Sequence, residues 1–238
     1  IKLILWVVWS DLERQLVPAL DFYQSLGIGG IKVDFMDRDD QYMTDFYRKV
    51  AEECAIRKII VNFHGAYKPD GLSRTYPNLL SYEAVLGNEY AKWDNVFPNP
   101  KHNVMLAYTR LIAGPMDYTP GSMTNSTMES FTVNSRHPMT KGTRTQQMAM
   151  TVVYESGILS LCESPKIYEV LPEFDFIKKV PAAWDSTIVL DGKIGEYIII
   201  ARKKDDNWFI GAMTDQNSRD IVIDLSFLVN FNYDADIY

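Results

Sequence analysis

Apolar and polar residues along this chain change period from segment to segment, and the changes predict its elements. Leu3-Ile4-Leu5-Trp6-Val7-Val8-Trp9 is an unbroken apolar run of strand length, closed by the polar pair Ser10-Asp11. Helical spacing runs from about Leu16 to Leu26 and stops at Gly27. After Gly29-Gly30, apolar Ile31, Val33 and Phe35 alternate with Lys32 and Asp34, the period of two that marks a strand with unlike faces. Asp39 to Arg57 is patterned as an amphipathic helix through Met43, Phe46, Tyr47, Val50, Ala51 and Cys54. Lys58 to His64 and Leu79 to Val85 read as strands, the first running on into Gly65-Ala66. His102 to Ala113 reads as a helix stopped by Gly114-Pro115, with a short strand or turn from Met116. Thr143 to Tyr154 reads as a helix, Ile158 to Cys162 as a strand, and Lys166 to about Lys178 as a helix.

This alternation predicts six strands before residue 166 in parallel βα units, two short of a closed eight-stranded barrel. The remaining pair is expected to precede Ile1, because the chain opens directly on a buried-strand pattern and has no initiator Met. After Val180-Pro181 the spacing shortens. Thr187 to Leu190, Glu196 to Arg202, Trp208 to Thr214 and Ile221 to Leu225 read as strands, joined by Asp191-Gly192 and the polar turn from Lys203 to Asn207. The expected fold is therefore α/β. Residues 1–180 would hold the later three-quarters of a (β/α)8 barrel, and residues 181–238 part of an antiparallel β domain.

Composition narrows the function more than the fold. The net charge of −7, without clustered Lys and Arg, argues against a nucleic-acid partner. No apolar run reaches the length of a membrane span. The two cysteines, Cys54 and Cys162, are expected to be buried free thiols, and they have no zinc-site spacing.

The chemistry concentrates at strand ends. Asp34 comes after Lys32 on one strand face, a carboxylate with a cation two residues before it; the plain alternative is an Asp that caps the next helix. His64 ends the next strand, and Glu83 and Glu89 belong to the one after. Carboxylates from different strands facing one another suit acid/base and nucleophilic work on a glycosidic bond; the alternative is structural ion pairing with Arg74 or Lys92. A bend at Gly87 would let Glu83 and Glu89 share one hard cation. Asp117 and Glu129 are expected on solvated loops, and Asp37, Asp39 and Asp40 as charges at a helix N-terminus. Asn125-Ser126-Thr127 has the form of a glycosylation acceptor, a pattern common by chance.

Several ordered motifs together carry a resemblance. Gly30 through Gln41, with Lys32-Val33-Asp34-Phe35-Met36-Asp37 at its centre, resembles the nucleophile strand of glycoside hydrolase family 97. Phe63 through Pro69, Arg74 through Asn78, Glu83 through Glu89, Met116 through Gly121, Pro181 through Asp185 and Gly195-Glu196-Tyr197 resemble the same family. The resemblance implies an exo-acting, calcium-dependent α-glucosidase or α-galactosidase built from a β-sandwich, a (β/α)8 barrel and a C-terminal β domain. It implies Asp34 as nucleophile, Glu89 as acid/base, Lys32 and His64 as substrate contacts, and Glu83 as a calcium ligand that Glu89 joins. Members that invert configuration carry a glutamate base directly after the histidine; Gly65 stands there, which points to the retaining, α-galactosidase-like branch. An oligosaccharide substrate, a preceding β-sandwich and early barrel on the same polypeptide, and a periplasmic or secreted location complete what it implies. A glucosidase of the same family and an inactive carbohydrate-binding barrel are the competing readings.

Overall fold

The structure, a computed structural model, describes residues 2–229 and 232–238. The chain divides into two compact units. The first comprises Ile1–Gly87, Arg110–Tyr118 and Glu155–Leu159, and the second Asn88–Thr109, Thr119–Tyr154 and Ser160–Tyr238.

The first unit alternates strand and helix: β1 (Ile4–Val8), α1 (Trp9–Arg14), α2 (Leu16–Ser25), β2 (Gly30–Asp34), α3 (Gln41–Ile56), β3 (Ile60–Phe63), α4 (Leu72–Thr75) and β4 (Leu79–Tyr82). The strands form a parallel sheet in the order β1-β2-β3-β4. Its register aligns Leu5 with Ile31 and Val61, and Trp6 with Lys32 and Asn62. A bulge between Val61 and Asn62 then brings Ser81 opposite Asn62 and Tyr82 opposite Phe63. One face is thus apolar throughout, and it packs on the helices: Ile31, Val33, Val61 and Phe63 share a core with Leu16, Leu20, Met43, Phe46, Tyr47 and Val50. Each fully buried side chain of this size contributes about 1.5–3 kcal/mol. In α3 the six buried residues are those the helical period selects, and Asp40 caps the helix through Oδ1, which accepts the Met43 N–H at 3.1 Å.

The second unit holds α5 (Pro100–Tyr108), the short parallel pair β5 (Asn125–Ser126) and β6 (Thr140–Lys141), then α6 (Arg144–Val153), α7 (Pro165–Tyr168) and α8 (Glu173–Ile177). Its last part is an antiparallel sheet, β7 (Ser186–Lys193), β8 (Tyr197–Lys204) and β9 (Asn207–Thr214), with β8 central. α6 lies close on β9 because Gly211 has no side chain: a Cβ there would sit 3.0 Å from Ala149 O, Val152 Cβ and Val153 Cγ2.

Several expectations are corrected. Among the described residues the parallel sheet has four strands rather than six; the fifth is reduced to a single parallel bridge, Tyr82 to Met116. Ile158 to Cys162 forms no strand; Cys162 N–H donates at 3.1 Å to Pro120 O, in a segment that is itself not a strand. Pro172 divides the helix expected from Lys166 to Lys178 into α7 and α8. The turn placed at Asp191-Gly192 lies instead at Ile194-Gly195, with Gly195 at φ +75°. Gly192 remains inside β7, where the Tyr108 hydroxyl occupies the room of a Cβ. Ile221 to Leu225 is irregular, with Val222 exposed and Asp224 bonding the Ser226 N–H instead of a neighbouring strand. Cys54 is buried but Cys162 is exposed, and both thiols are free. Among the described residues no helix is long and apolar enough to cross a membrane.

The tight first sheet makes a specific demand on Gly30. A Cβ there would lie 2.5 Å from Ile60 Cγ1 and 3.1 Å from Ile60 O. Gly30→Ala should lower stability by about 1–3 kcal/mol, read as a shifted urea midpoint. Gly27→Ala, with no atom within 4 Å of the new Cβ but a φ of +72°, should cost about 1–2 kcal/mol from backbone strain alone. Ile60→Ala removes Cγ1, so it should cost less in the Gly30→Ala background than by itself. Its cost should be unchanged beside Gly27→Ala.

Candidate active site

The polar face of the parallel sheet is where the chemistry gathers. The register places Trp6, Lys32, Asn62 and Ser81 in one row across it. One step further along, the backbone continues the ladder past the strand ends. His64 N–H donates to Val33 O at 2.8 Å, Glu83 N–H to Phe63 O at 2.8 Å, and Asp117 N–H to Tyr82 O at 3.1 Å. Asp34, paired with Val8, closes β2 at the same level. The residue after each of Asp34, His64 and Glu83 turns left-handed: Phe35 has φ +66°, Gly65 +57° and Ala84 +42°. The sheet therefore ends abruptly after each of these three side chains. Positive φ at Phe35 and Ala84 stores strain, as functional sites commonly do.

Asp34 is half-buried, and both its oxygens are held. Oδ2 accepts the Trp6 indole N–H at 2.8 Å, and Oδ1 accepts the Phe35 N–H at 2.7 Å. The alternative role of helix cap belongs to Asp40, which leaves Asp34 without a capping role. Lys32, two residues earlier on the same face, is half-buried.

A second cluster joins Asn62, His64, Glu83 and Asp117. Asp117 Oδ2 accepts from Asn62 Nδ2 at 2.7 Å and bonds His64 Nε2 at 2.7 Å. On the other side of the ring, Nδ1 lies 3.5 Å from Glu83 Oε2, which also accepts the Gly65 N–H at 2.8 Å. Burial alone would push the His64 imidazole down, but bonds and charge attraction from Asp117 and then Glu83 outweigh it and hold the ring up at about 9. Asp117, expected in solvent, is fully buried. Its one available signal in the sequence was its place between Met116 and Tyr118 in a short strand-like segment.

Arg110 was not foreseen, lying in what read as one more helical turn. Its guanidinium donates to the carbonyls of Tyr82, Glu83, Ala84, Gly114 and Pro115. It ties the end of β4 to the segment leading into Asp117, and burial pulls it down to about 10.

Glu89 falls in the second unit, on a 3₁₀ turn from Asn88 to Lys92, and it pairs with Lys92 Nζ at 2.9 Å. The turn is anchored by buried Asn88, whose amide donates to Gln147 Oε1 at 3.3 Å and Cys162 Sγ at 3.4 Å. The structure thus gathers Lys32, Asp34, His64 and Glu83 on one sheet, while Glu89 is described within its own unit. For a hard cation, Glu83 Oε1 makes no hydrogen bond or ion pair among the described residues, and carboxylate oxygens are suitable donors. Among the described residues no three His, Cys, Asp or Glu side chains converge as a metal site. Asn125 is half-buried, its amide bonded to Ser122 O and Thr140 Oγ1.

A family model described as glycoside hydrolase 97 matches residues 1–85, and one described as glycosyl-hydrolase 97 C-terminal, oligomerisation, matches residues 183–238. A retaining alpha-galactosidase of Bacteroides thetaiotaomicron is 45% identical, over 100% of this chain and 36% of that protein. A probable retaining alpha-galactosidase of Streptomyces bingchenggensis is 32% identical, over 87% of this chain and 31% of that protein. Among solved structures, a glycoside hydrolase family 97 enzyme from Pseudoalteromonas sp. strain K8 in complex with acarbose superposes with a TM-score of 0.86 at 33% identity. That match covers 97% of this chain and 39% of the other. The chain spans about a third of the length of the curated relatives it matches.

The buried imidazolium sets a pH dependence. Because the folded-state value is raised from 6.5 to about 9, its stabilisation is complete below about pH 6.5 and is lost as pH rises through about 9. The shift corresponds to a contribution on the order of 3 kcal/mol. Urea unfolding of the full-length protein should show that loss between pH 6 and pH 10. Asp117→Asn should be less stable at pH 6 and should lose much less on going to pH 10; an unchanged pH slope would contradict the pairing.

Proposed function

The chain belongs to glycoside hydrolase family 97, and on that premise we propose that it carries the catalytic centre of an exo-acting, retaining α-galactosidase. The observation that carries the reading is Asp34 itself: a half-buried carboxylate at a strand end, held by two hydrogen bonds and relieved of any capping role. The 45% identity to a retaining alpha-galactosidase supports galactose over glucose. Gly65 supports retention. It carries no carboxylate to act as a base, and a Cβ there would meet Asp37 Oδ1 at 2.9 Å and Phe35 N at 3.0 Å.

In the proposed double displacement, an Asp34 oxygen forms a bond to the anomeric carbon as the bond to the leaving oxygen breaks, and Glu89 delivers a proton to that oxygen. Glu89 then takes a proton from water, the water oxygen bonds the anomeric carbon, and Asp34 is released as carboxylate. Two inversions give net retention. Lys32 and His64 bind sugar hydroxyls. His64 is buried with Nε2 bonded to Asp117 and Nδ1 turned to Glu83, so it reaches a sugar hydroxyl only by giving up one of those partners.

The proposal extends to the surroundings of the site. Residues 1–180 would belong to a (β/α)8 barrel completed by the rest of the polypeptide, and residues 181–238 to its C-terminal β domain. Glu83 and Glu89 would be calcium ligands, Glu83 through its unbonded Oε1. When bound, the ion would fix carboxylate orientation and polarise the subsite. A terminal α-galactoside of an oligosaccharide is the proposed substrate, and a periplasmic or secreted location is proposed from family membership.

Proton NMR in the first minutes of hydrolysis of an α-galactoside by the full-length protein should show α-galactose rising before mutarotation; early β-galactose would remove Asp34 from its role. Asp34→Ala should lower turnover by roughly 10³-fold or more and be partly rescued by azide. Chelation should depress activity, with calcium restoring it and Glu83→Ala reproducing the loss. Full activity after metal removal confirmed by elemental analysis would refute the calcium assignment.

A further inference from the structure

Two aromatic side chains beside Asp34 are not used by the core. Trp6 on β1 is 52% exposed, and Phe35 is 55% exposed. Their rings meet edge to face, with centroids 5.7 Å apart and planes at 86°. Phe35 carries a backbone cost, since its φ of +66° is unfavourable for a bulky residue. That strain does not help the fold, yet each residue holds one oxygen of the Asp34 carboxylate, Trp6 through its indole N–H and Phe35 through its backbone N–H. The exposed apolar surface is thereby fixed against the one carboxylate proposed to attack sugar.

We propose that Trp6 and Phe35 form an aromatic wall that packs on the C–H groups of the pyranose ring held at Asp34, and that the Trp6 indole N–H is a positioning group for that carboxylate. The proposal rests on the reading of Asp34 as nucleophile and divides its neighbours into two roles. The rings act on sugar binding, because apolar contact is made with the ring in the ground state and the transition state alike. The N–H acts on the chemical step, because it fixes which carboxylate lone pair faces the anomeric carbon. Phe35 contributes its ring only, since its hydrogen bond comes from the backbone and survives substitution.

The test uses the full-length protein, with galactose binding measured by calorimetry and hydrolysis of an aryl α-galactoside by steady-state kinetics. Thermal melts establish that each variant folds. Trp6→Phe keeps an aromatic ring and removes the N–H; it should lower kcat by about 10- to 100-fold, the range for a hydrogen bond to a charged group, while galactose Kd changes by less than about twofold. Phe35→Leu keeps bulk and removes the ring; it should raise galactose Kd and KM by about fivefold. Trp6→Leu should show both losses. Wild-type kcat in Trp6→Phe overturns the positioning role, and wild-type Kd in Phe35→Leu overturns the wall. A protein that hydrolyses the galactoside while both variants match it overturns this proposal and leaves the α-galactosidase reading intact. Galactose binding that depends on Phe35, without any turnover, supports the wall and overturns the enzymatic reading.

Discussion

The site depends on one constraint: the parallel ladder from β1 to β4, in register from β1 to β3 and shifted by one bulge at β4, whose two faces differ in kind. A period of two leaves each strand a single choice of which residues meet the helices. Ile31, Val33, Val61 and Phe63 take that face, so Lys32, Asp34, Asn62 and His64 must take the other. A register slip of one residue would bury Asp34 in the helix-facing core and expose Val33. Core packing and placement of the chemistry are therefore one specification, enforced by the apolar residues alone.

The turns that end the strands matter as much as the strands themselves. The chain turns left-handed immediately after Asp34, His64 and Glu83, although only the second of these turns has a glycine. Arg110 gathers five carbonyls around the end of β4, and Asp117 reaches back to Asn62 and His64. Burying a guanidinium and a carboxylate is costly unless each is well bonded. Here the bonds tie segments distant in sequence to the same strand ends, so the polar groups hold what the apolar ladder cannot reach.

Periodicity made much of this legible. The buried face of α3 and the strands around Asp34 and His64 come directly from spacing, as does the strand end at His64; the apolar pattern runs on past Asp34 to Phe35 and past Glu83 to Val85, where left-handed turns cut the strands short. Asp117 was misread because a charged residue after Gly114-Pro115 looks like a loop; its burial depends on partners 53 and 55 residues away. Arg110 was invisible for the same reason, since its acceptors are backbone carbonyls that no residue type announces. Ile158 to Cys162 and Ile221 to Leu225 had strand-like composition, but a strand exists only where a neighbour offers a ladder. Pro172 was a readable break that the apolar pattern around it concealed. The role of Trp6 could not be read from a run that is apolar from Leu3 to Trp9, because it lies in which ring faces the carboxylate.

The central claim is that Asp34 forms a covalent bond to the sugar. In a 2-deoxy-2-fluoro-α-galactosyl fluoride the 2-fluorine slows both displacements while the good fluoride leaving group speeds only the first, so the fluorosugar should accumulate on the attacking residue. Proteolysis and tandem mass spectrometry of the treated full-length protein should place the added mass on Asp34, with no labelling of Asp34→Ala. The same mass on Glu83, Glu89 or any other carboxylate, with Asp34 unmodified, would contradict the account.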